Sequence, residues 1–210
     1  MKKAINKNAQ LLAAFAIACT LAVGVISELT SDRIAQQEQA QLLKTLHTII
    51  DKEAINNDLY QDCTIANDPL LGSTEDQTVY LGKLNDAPVA AAITAIAPDG
   101  YNGKISLLIA FDINGLVTGV RTLKHNETPG LGDKIELKRS NWITSFNGKT
   151  ITKSSDSRWY VKKDGGMFDQ FTGATITPRA VVKAVKNANL YFNQHKQALF
   201  ESTVSCRGES

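Results

Sequence analysis

Residues 9–26 hold no charged side chain, Gln10 and Thr20 being the most polar among them, and they follow a start that carries Lys2, Lys3 and Lys7 without an acid. This run constrains the fold before anything else, because its apolar side chains have to leave water. Its length is near the lower limit for spanning a hydrocarbon core of about 30 Å. A cleaved signal peptide shares the signature of a basic start and an apolar run. The run exceeds a typical signal core, however, and its exit, Ser27-Glu28-Leu29-Thr30, has no clear small-x-small cleavage pattern. The reading is a retained anchor over residues 9–28, one transmembrane helix. Basic flanks stay inside, so residues 1–8 are expected in the cytoplasm and all that follows Glu28 on the outer side. Ala13, Ala14, Ala18, Ala22 and Gly24 suit either a partner helix or lipid.

The 210 residues leave room for that anchor and one soluble domain with a real core. Lys+Arg at 23 against Asp+Glu at 21 leaves a net charge of only +2, and no basic stripe is interleaved with aromatics, which argues against nucleic acid as a partner. There is no internal repeat, no GxSxG, no HExxH and no GxxxxGK. His47, His125 and His195 lack metal-ligand spacing. Cys19 falls inside the apolar run. Cys63 and Cys206 lie beyond it and can pair in an oxidising compartment or remain thiols; the sequence leaves both open.

Beyond the anchor, residues 29–60 read as an amphipathic linker helix, with Asp32 as a candidate cap and Ile34, Leu42, Leu43, Leu46, Ile49 and Ile50 on a helical period. Four strands are predicted at residues 78–84, 89–97, 104–112 and 116–124, forming an antiparallel meander. Asn114-Gly115 is the expected type I′ hairpin turn. In the third strand both alternating sets, Leu107/Ile109/Phe111 and Ser106/Leu108/Ala110, are largely apolar, so helices should cover a face of the sheet. Asp133 is the expected cap of a short helix carrying Ile135, Leu137, Trp142, Ile143 and Phe146. Residues 149–152 and 158–163 look like two further strands. A last helix is expected to open with Thr177 as N-cap and Pro178 at its first position, with Val181, Val182, Val185, Ala188 and Phe192 as its apolar stripe. The fold class is therefore α+β: a transmembrane helix, then one domain over residues 61–200 with a mainly antiparallel sheet covered by helices. A polar tail, residues 201–210, closes the chain.

Two stretches carry the chemistry. Asp169-Gln170-Phe171-Thr172-Gly173-Ala174-Thr175 places two hydroxyls around a small-residue turn directly before a helix. Gly173 and Ala174 leave Thr175 open to a bulky group, and the free N–H groups of a helix start favour an anion such as phosphate. Glu127-Thr128-Pro129-Gly130-Leu131-Gly132 sets two glycines around an exposed leucine, a loop whose backbone a flat ligand can approach closely.

With the anchor, these two motifs occur in an order and spacing that resembles the FMN-binding domain family, and within it the G subunits of Rnf ion-translocating electron-transport complexes. The resemblance covers most of the chain. It implies FMN joined by a phosphoester to Thr175, attached by a flavin transferase, with Asp169, Thr172, Gly173 and Ala174 completing the recognition signature. It implies Glu127, Thr128, Gly130 and Leu131 against the isoalloxazine ring, Leu131 on a ring face and Thr128 at an edge. Lys162 or Lys163 would bring positive charge near the flavin, and Trp142 is a further neighbour. It also implies an electron-relay subunit, not a stand-alone catalyst, in a bacterial inner membrane. The flavin domain would be periplasmic, working with other membrane subunits that couple electron transfer between ferredoxin and NAD to ion movement. Two alternatives remain: the similar flavin subunit of the sodium-translocating NADH:quinone oxidoreductase, which usually carries Ser where Thr172 stands, and a membrane-tethered scaffold without flavin.

Overall fold

The computed structural model describes residues 2–207, with the side chains of residues 2–5 and 35 outside that description. The end of the polar tail, residues 208–210, lies outside it, as do the side chains of Lys2 and Lys3 on which part of the topology expectation rests. The chain divides into a unit that ends at Lys44 and a compact unit that begins at Thr45.

The anchor and the first part of the linker form one helix, α1 (Lys2–Ile49); residues 50–60, expected to continue it, hold only a 3₁₀ turn at Lys52–Ala54. Asp32 is therefore mid-helix and caps nothing: no glycine or proline interrupts residues 25–49, so nothing ends the helix at the membrane exit. Leu11, Leu12, Phe15, Leu21 and Ile26 are each more than half exposed, an apolar surface that a bilayer covers and water does not. The helix is long and apolar enough to cross a membrane.

In the second unit five strands run in order as an antiparallel meander: β1 (Cys63–Ala66), β2 (Gln77–Leu84), β3 (Ala87–Ala97), β4 (Ile105–Asp112) and β5 (Val117–Lys124). The last four occupy the predicted segments. β1 is too short for its alternation to stand out. Pairing of Val79 with Ile93, Ile93 with Ile109, and Ile109 with Val120 builds one apolar row across the sheet. Against that face lies the last helix, α2 (Ile176–Glu201), with the five residues of its predicted stripe buried and Phe192 stacked on Phe111 at 4.9 Å. The opposite face carries Gly82, Ala90, Ala92, Ala110 and Gly119, small enough for bare chain to cover it. Ile55 packs on Gly82 and Ile49 on Gly119, so closely that a Cβ at Gly119 would stand 2.5 Å from Ile49 Cγ2.

Several local expectations are corrected. The two-residue type I′ turn belongs to Asn85-Asp86, both at positive φ (51° and 65°). At Asn114-Gly115 only Gly115 is left-handed. There Gly115 N–H returns to Asp112 O and Asp112 N–H to Leu116 O, a type I turn closed by a bulge. The expected short helix is two 3₁₀ turns, Gly132–Ile135 and Asn141–Phe146; Asp133 lies inside the first and Ser140 caps the second. No strands form at 149–152 and 158–163. The N–H of Ile151 goes to Asn189 Oδ1 and its carbonyl accepts from Asn193 Nδ2, so α2 side chains satisfy the backbone that a strand partner would have taken. Residues 158–162 bond instead to the returning segment at 167–168.

Cys63 and Cys206 form a disulfide, Cα–Cα 5.3 Å, which ties the tail after α2 to edge strand β1. The tail also places the Arg207 guanidinium over the Tyr60 ring and Ser202 Oγ at 2.9 Å from Thr64 Oγ1. A bridge across 143 residues restricts the unfolded chain strongly, by up to about 5 kcal/mol. Under denaturing, nonreducing conditions alkylation should label Cys19 alone. Reduction should expose two more thiols and lower the melting temperature, and labelling of three thiols without reductant would exclude the bridge.

Candidate functional site

The two chemical motifs, far apart in sequence, meet in one cleft of ≈ 240 Å³ at the N-terminus of α2. Each is built around a turn whose third residue must be left-handed. In Thr128-Pro129-Gly130-Leu131 the Leu131 N–H returns to Thr128 O and Gly130 has φ 76°; in Phe171-Thr172-Gly173-Ala174 the Ala174 N–H returns to Phe171 O and Gly173 has φ 81°. The turns lie against each other, since a Cβ on Gly173 would sit 3.6 Å from Leu131 Cδ2.

Glu127 holds the arrangement. Its carboxylate is buried, accepting from the Asn102 N–H at 3.1 Å through Oε1 and from the Thr177 hydroxyl through Oε2. The loop after β5, the turn between β3 and β4, and the first turn of α2 thus share one anion. Gly132 is required beside it: a Cβ there would stand 2.8 Å from Glu127 Oε2 and 2.9 Å from Thr177 Oγ1. The Glu127 N–H donates to His125 Nδ1 at 3.0 Å, so Nδ1 is the acceptor nitrogen and the hydrogen on Nε2 faces Glu136, 2.7 Å away. Burial opposes charge on Glu136, but hydrogen bonds from Lys138 and His125 outweigh it and hold that carboxyl below its ordinary value.

Thr177 is therefore not the cap. α2 starts two residues earlier than expected, Thr175 occupies the N-cap position in helical conformation, and its hydroxyl makes no capping bond. A half-buried hydroxyl without a partner among the described residues is left facing the cleft at the positive end of a long helix.

Of the residues expected from sequence, Glu127, Thr128, Leu131, Gly173, Ala174 and Thr175 line the cleft. Gly130 and Thr172 shape its two turns from outside the lining. Asp169, Lys162, Lys163 and Trp142 form a brace behind the loop: Lys162 Nζ lies 2.6 Å from Asp169 Oδ1, Trp142 Nε1 donates to Asp169 O at 2.7 Å, and the Lys163 N–H donates to Gln170 Oε1. Sequence reasoning missed Tyr101, Ile176 and Thr177 in the lining. The first two are 67% and 47% exposed and, with Leu131 at 42%, give the cleft apolar walls. An exposed tyrosine directly after Pro98-Asp99-Gly100 was the available signal for Tyr101. Apolar walls, two turns that bring backbone close, and a free hydroxyl at a helix start fit a flat ring carrying a phosphate. The small volume leaves such a ring partly open to solvent.

Arg179 donates to Asp164 through Nε and Nη2, tying the first turns of α2 to the segment before the loop. That hydrogen bonding holds the Asp164 carboxyl below its ordinary value. With the folded pKa depressed, the pair's stabilisation is present above the unfolded pKa and is lost as pH falls through the folded one.

The chain matches the family described as FMN-binding domain over residues 100–189 and the RnfG N-terminal region over residues 1–49. A Shewanella piezotolerans protein, named as the G subunit of an ion-translocating oxidoreductase complex, is 53% identical over 207 residues, covering 98% of each chain. Proteins of the same name from Vibrio atlanticus and Vibrio cholerae are 53% and 51% identical over 209 residues, covering 100% of each chain.

Thr177→Val leaves a buried carboxylate oxygen without its donor and should cost about 2–3 kcal/mol, read as a lower thermal midpoint. In an NMR titration Asp164 should protonate below the ordinary aspartate range, and Arg179→Gln should raise that midpoint. An unchanged midpoint would mean that the pair contributes nothing.

Proposed function

Because the chain belongs to the family of G subunits of ion-translocating oxidoreductase complexes, we propose that it is the membrane-anchored flavoprotein of such a complex, relaying electrons through FMN joined to Thr175 by a phosphoester. The observation that carries this reading is the Thr175 hydroxyl: unpartnered, at the N-cap of α2, in the cleft that both motifs line. FMN supplies one- and two-electron chemistry. The chain's own residues do the rest. The start of α2 stabilises the phosphate with backbone N–H groups and the helix dipole. Leu131, Tyr101 and Ile176 take the ring, and the Glu127 clasp keeps the two walls in register. The partly open cleft suits a relay, which must let redox partners approach, more than a catalyst that must exclude water.

Attachment calls for a flavin transferase, and Asp169, with Thr172, Gly173 and Ala174, makes up its recognition signature; Asp169 is exposed, paired with Lys162, and its carbonyl accepts from Trp142. The bilayer anchors α1, other membrane subunits assemble around it, and ferredoxin and NAD are the terminal partners that the family resemblance implies. A basic start and the Cys63–Cys206 bridge support an inner-membrane topology with the second unit periplasmic, since disulfides persist in oxidising compartments. The match of residues 1–49 to the RnfG N-terminal region favours this reading over the sodium-translocating NADH:quinone oxidoreductase subunit.

Co-expression with a flavin transferase should give a yellow protein whose intact mass keeps the FMN increment after denaturation; a colourless product would favour the scaffold. Thr175→Ala should lose that increment and Thr175→Ser should keep it, attached more slowly. Flavin retained by denatured Thr175→Ala protein would place the bond elsewhere. A reporter fused after Ser210 should be active only on the periplasmic side, and cytoplasmic activity would overturn the topology.

A further inference from the structure

A separate cavity of ≈ 490 Å³ is lined by α2, by residues within 154–164 and by Leu70. It shares no lining residue with the Thr175 cleft. Lys186, one of its lining residues, is 11 residues past Thr175, ~16 Å farther along the helix axis.

Its charges do not balance. Arg179 is taken up by Asp164 and Lys183 by Asp99. Lys186 is only 7% exposed, and its Nζ forms neither a hydrogen bond nor an ion pair among the described residues. Its close partner is the Tyr160 ring, 4.6 Å from Nζ to the centroid. The nearest remaining carboxylate, Asp156, is held by Arg158 through Nε and Nη2. The stem is buried but Nζ is not sealed from solvent, so the ammonium opens into the cavity, and its charge also acts on Asp156. Trp159 lines the same cavity at 1% exposure, and its indole Nε1–H has no acceptor among the described residues. The rest of the wall is apolar: Leu70, Val161, Val182 and Leu190. A lysine with no ion-pair partner of its own among the described residues, opening into a cavity with an apolar wall, suits a singly charged anion with an apolar body. The volume is that of a small-molecule site.

We propose that this cavity binds a small organic monocarboxylate, its carboxylate on Lys186 Nζ and its aromatic or aliphatic body against Trp159 and Tyr160. The inference does not depend on the flavin reading, because it uses none of the residues of the Thr175 cleft.

The test uses the full chain in neutral maltoside micelles with isotope-labelled tryptophan. Trp142 and Trp159 are the two tryptophans of the chain, so the spectrum holds two indole N–H signals, assigned by Trp142→Phe. Titrated phenylbutanoate should shift the Trp159 signal saturably and leave Trp142, bonded to Asp169 O, in place. The neutral phenylbutanamide, which has the same body, should bind about tenfold more weakly, the loss expected for one charge-assisted hydrogen bond. Acetate, lacking the body, should also bind more weakly. Lys186→Gln should weaken phenylbutanoate by a similar factor, its unmoved Trp142 signal reporting an intact fold. Amide and carboxylate binding within about twofold of each other, no saturable shift, or parallel drift of both indoles from micelle partitioning would each overturn the proposal, with no variant needed.

Discussion

A buried carboxylate must find donors or lose its charge, and Glu127 finds them on two separate parts of the chain. That requirement organises the cleft. Asn102 contributes a backbone N–H from the β3–β4 turn, and Thr177 contributes a hydroxyl from α2. The Thr128–Gly132 loop is thereby pressed onto the start of the helix. Gly132 and Gly100 make the approach sterically possible, since a Cβ on either would stand within 3 Å of a Glu127 carboxylate oxygen, 2.8 and 2.9 Å away. His125 and Glu136 extend the same network back toward the end of β5, so the loop is held from both ends.

Asn189 has the same organising role deeper in the domain. It is fully buried, donates to Gly115 O, and accepts from the Ile151 N–H and from Asn193. The β4–β5 turn and the 149–151 segment are thus tied to α2 by side-chain amides where regular pairing would have required another strand. A satisfied polar hub of this kind specifies one arrangement of irregular chain over an otherwise featureless apolar face. The helix that carries the candidate attachment residue is therefore fixed at its start by Glu127, in its middle by Asn189 and after its end by the disulfide. The Thr175 hydroxyl is left on a rigid element, the condition for a group bound in the cleft to keep a constant position.

What was readable in the sequence was local. The uncharged run of residues 9–26 dictates a helix that must leave water. The alternation of β-rich segments with Asn-Asp and Asn-Gly turns dictates a meander, and the Val181-to-Phe192 period dictates a helix with one buried face. The Gly130 and Gly173 turns follow from residue type, because each needs a left-handed residue at its third position. Even here local rules exchanged two details: Asn85-Asp86 took the type I′ turn, and Thr175 rather than Thr177 took the cap position.

Tertiary structure decided everything that depends on two distant residues meeting. Thr177 looked like a cap because Thr before Pro favours one, but a buried carboxylate 50 residues away competed for its hydroxyl and won. The segments at 149–152 and 158–163 look like strands by composition, yet strands need partners, and α2 amides and the 167–168 return supplied other acceptors and donors first. Lys162 and Trp142 are near the motif in sequence or type, but Asp169 draws both behind the loop. Cys63 and Cys206 could be paired or free until the fold brought their Cα atoms to 5.3 Å. Sequence determined which pieces form, because their hydrogen bonds and apolar periods are short-range; packing decided which side chains meet, because each such contact is chosen among competitors that only the folded chain brings within reach.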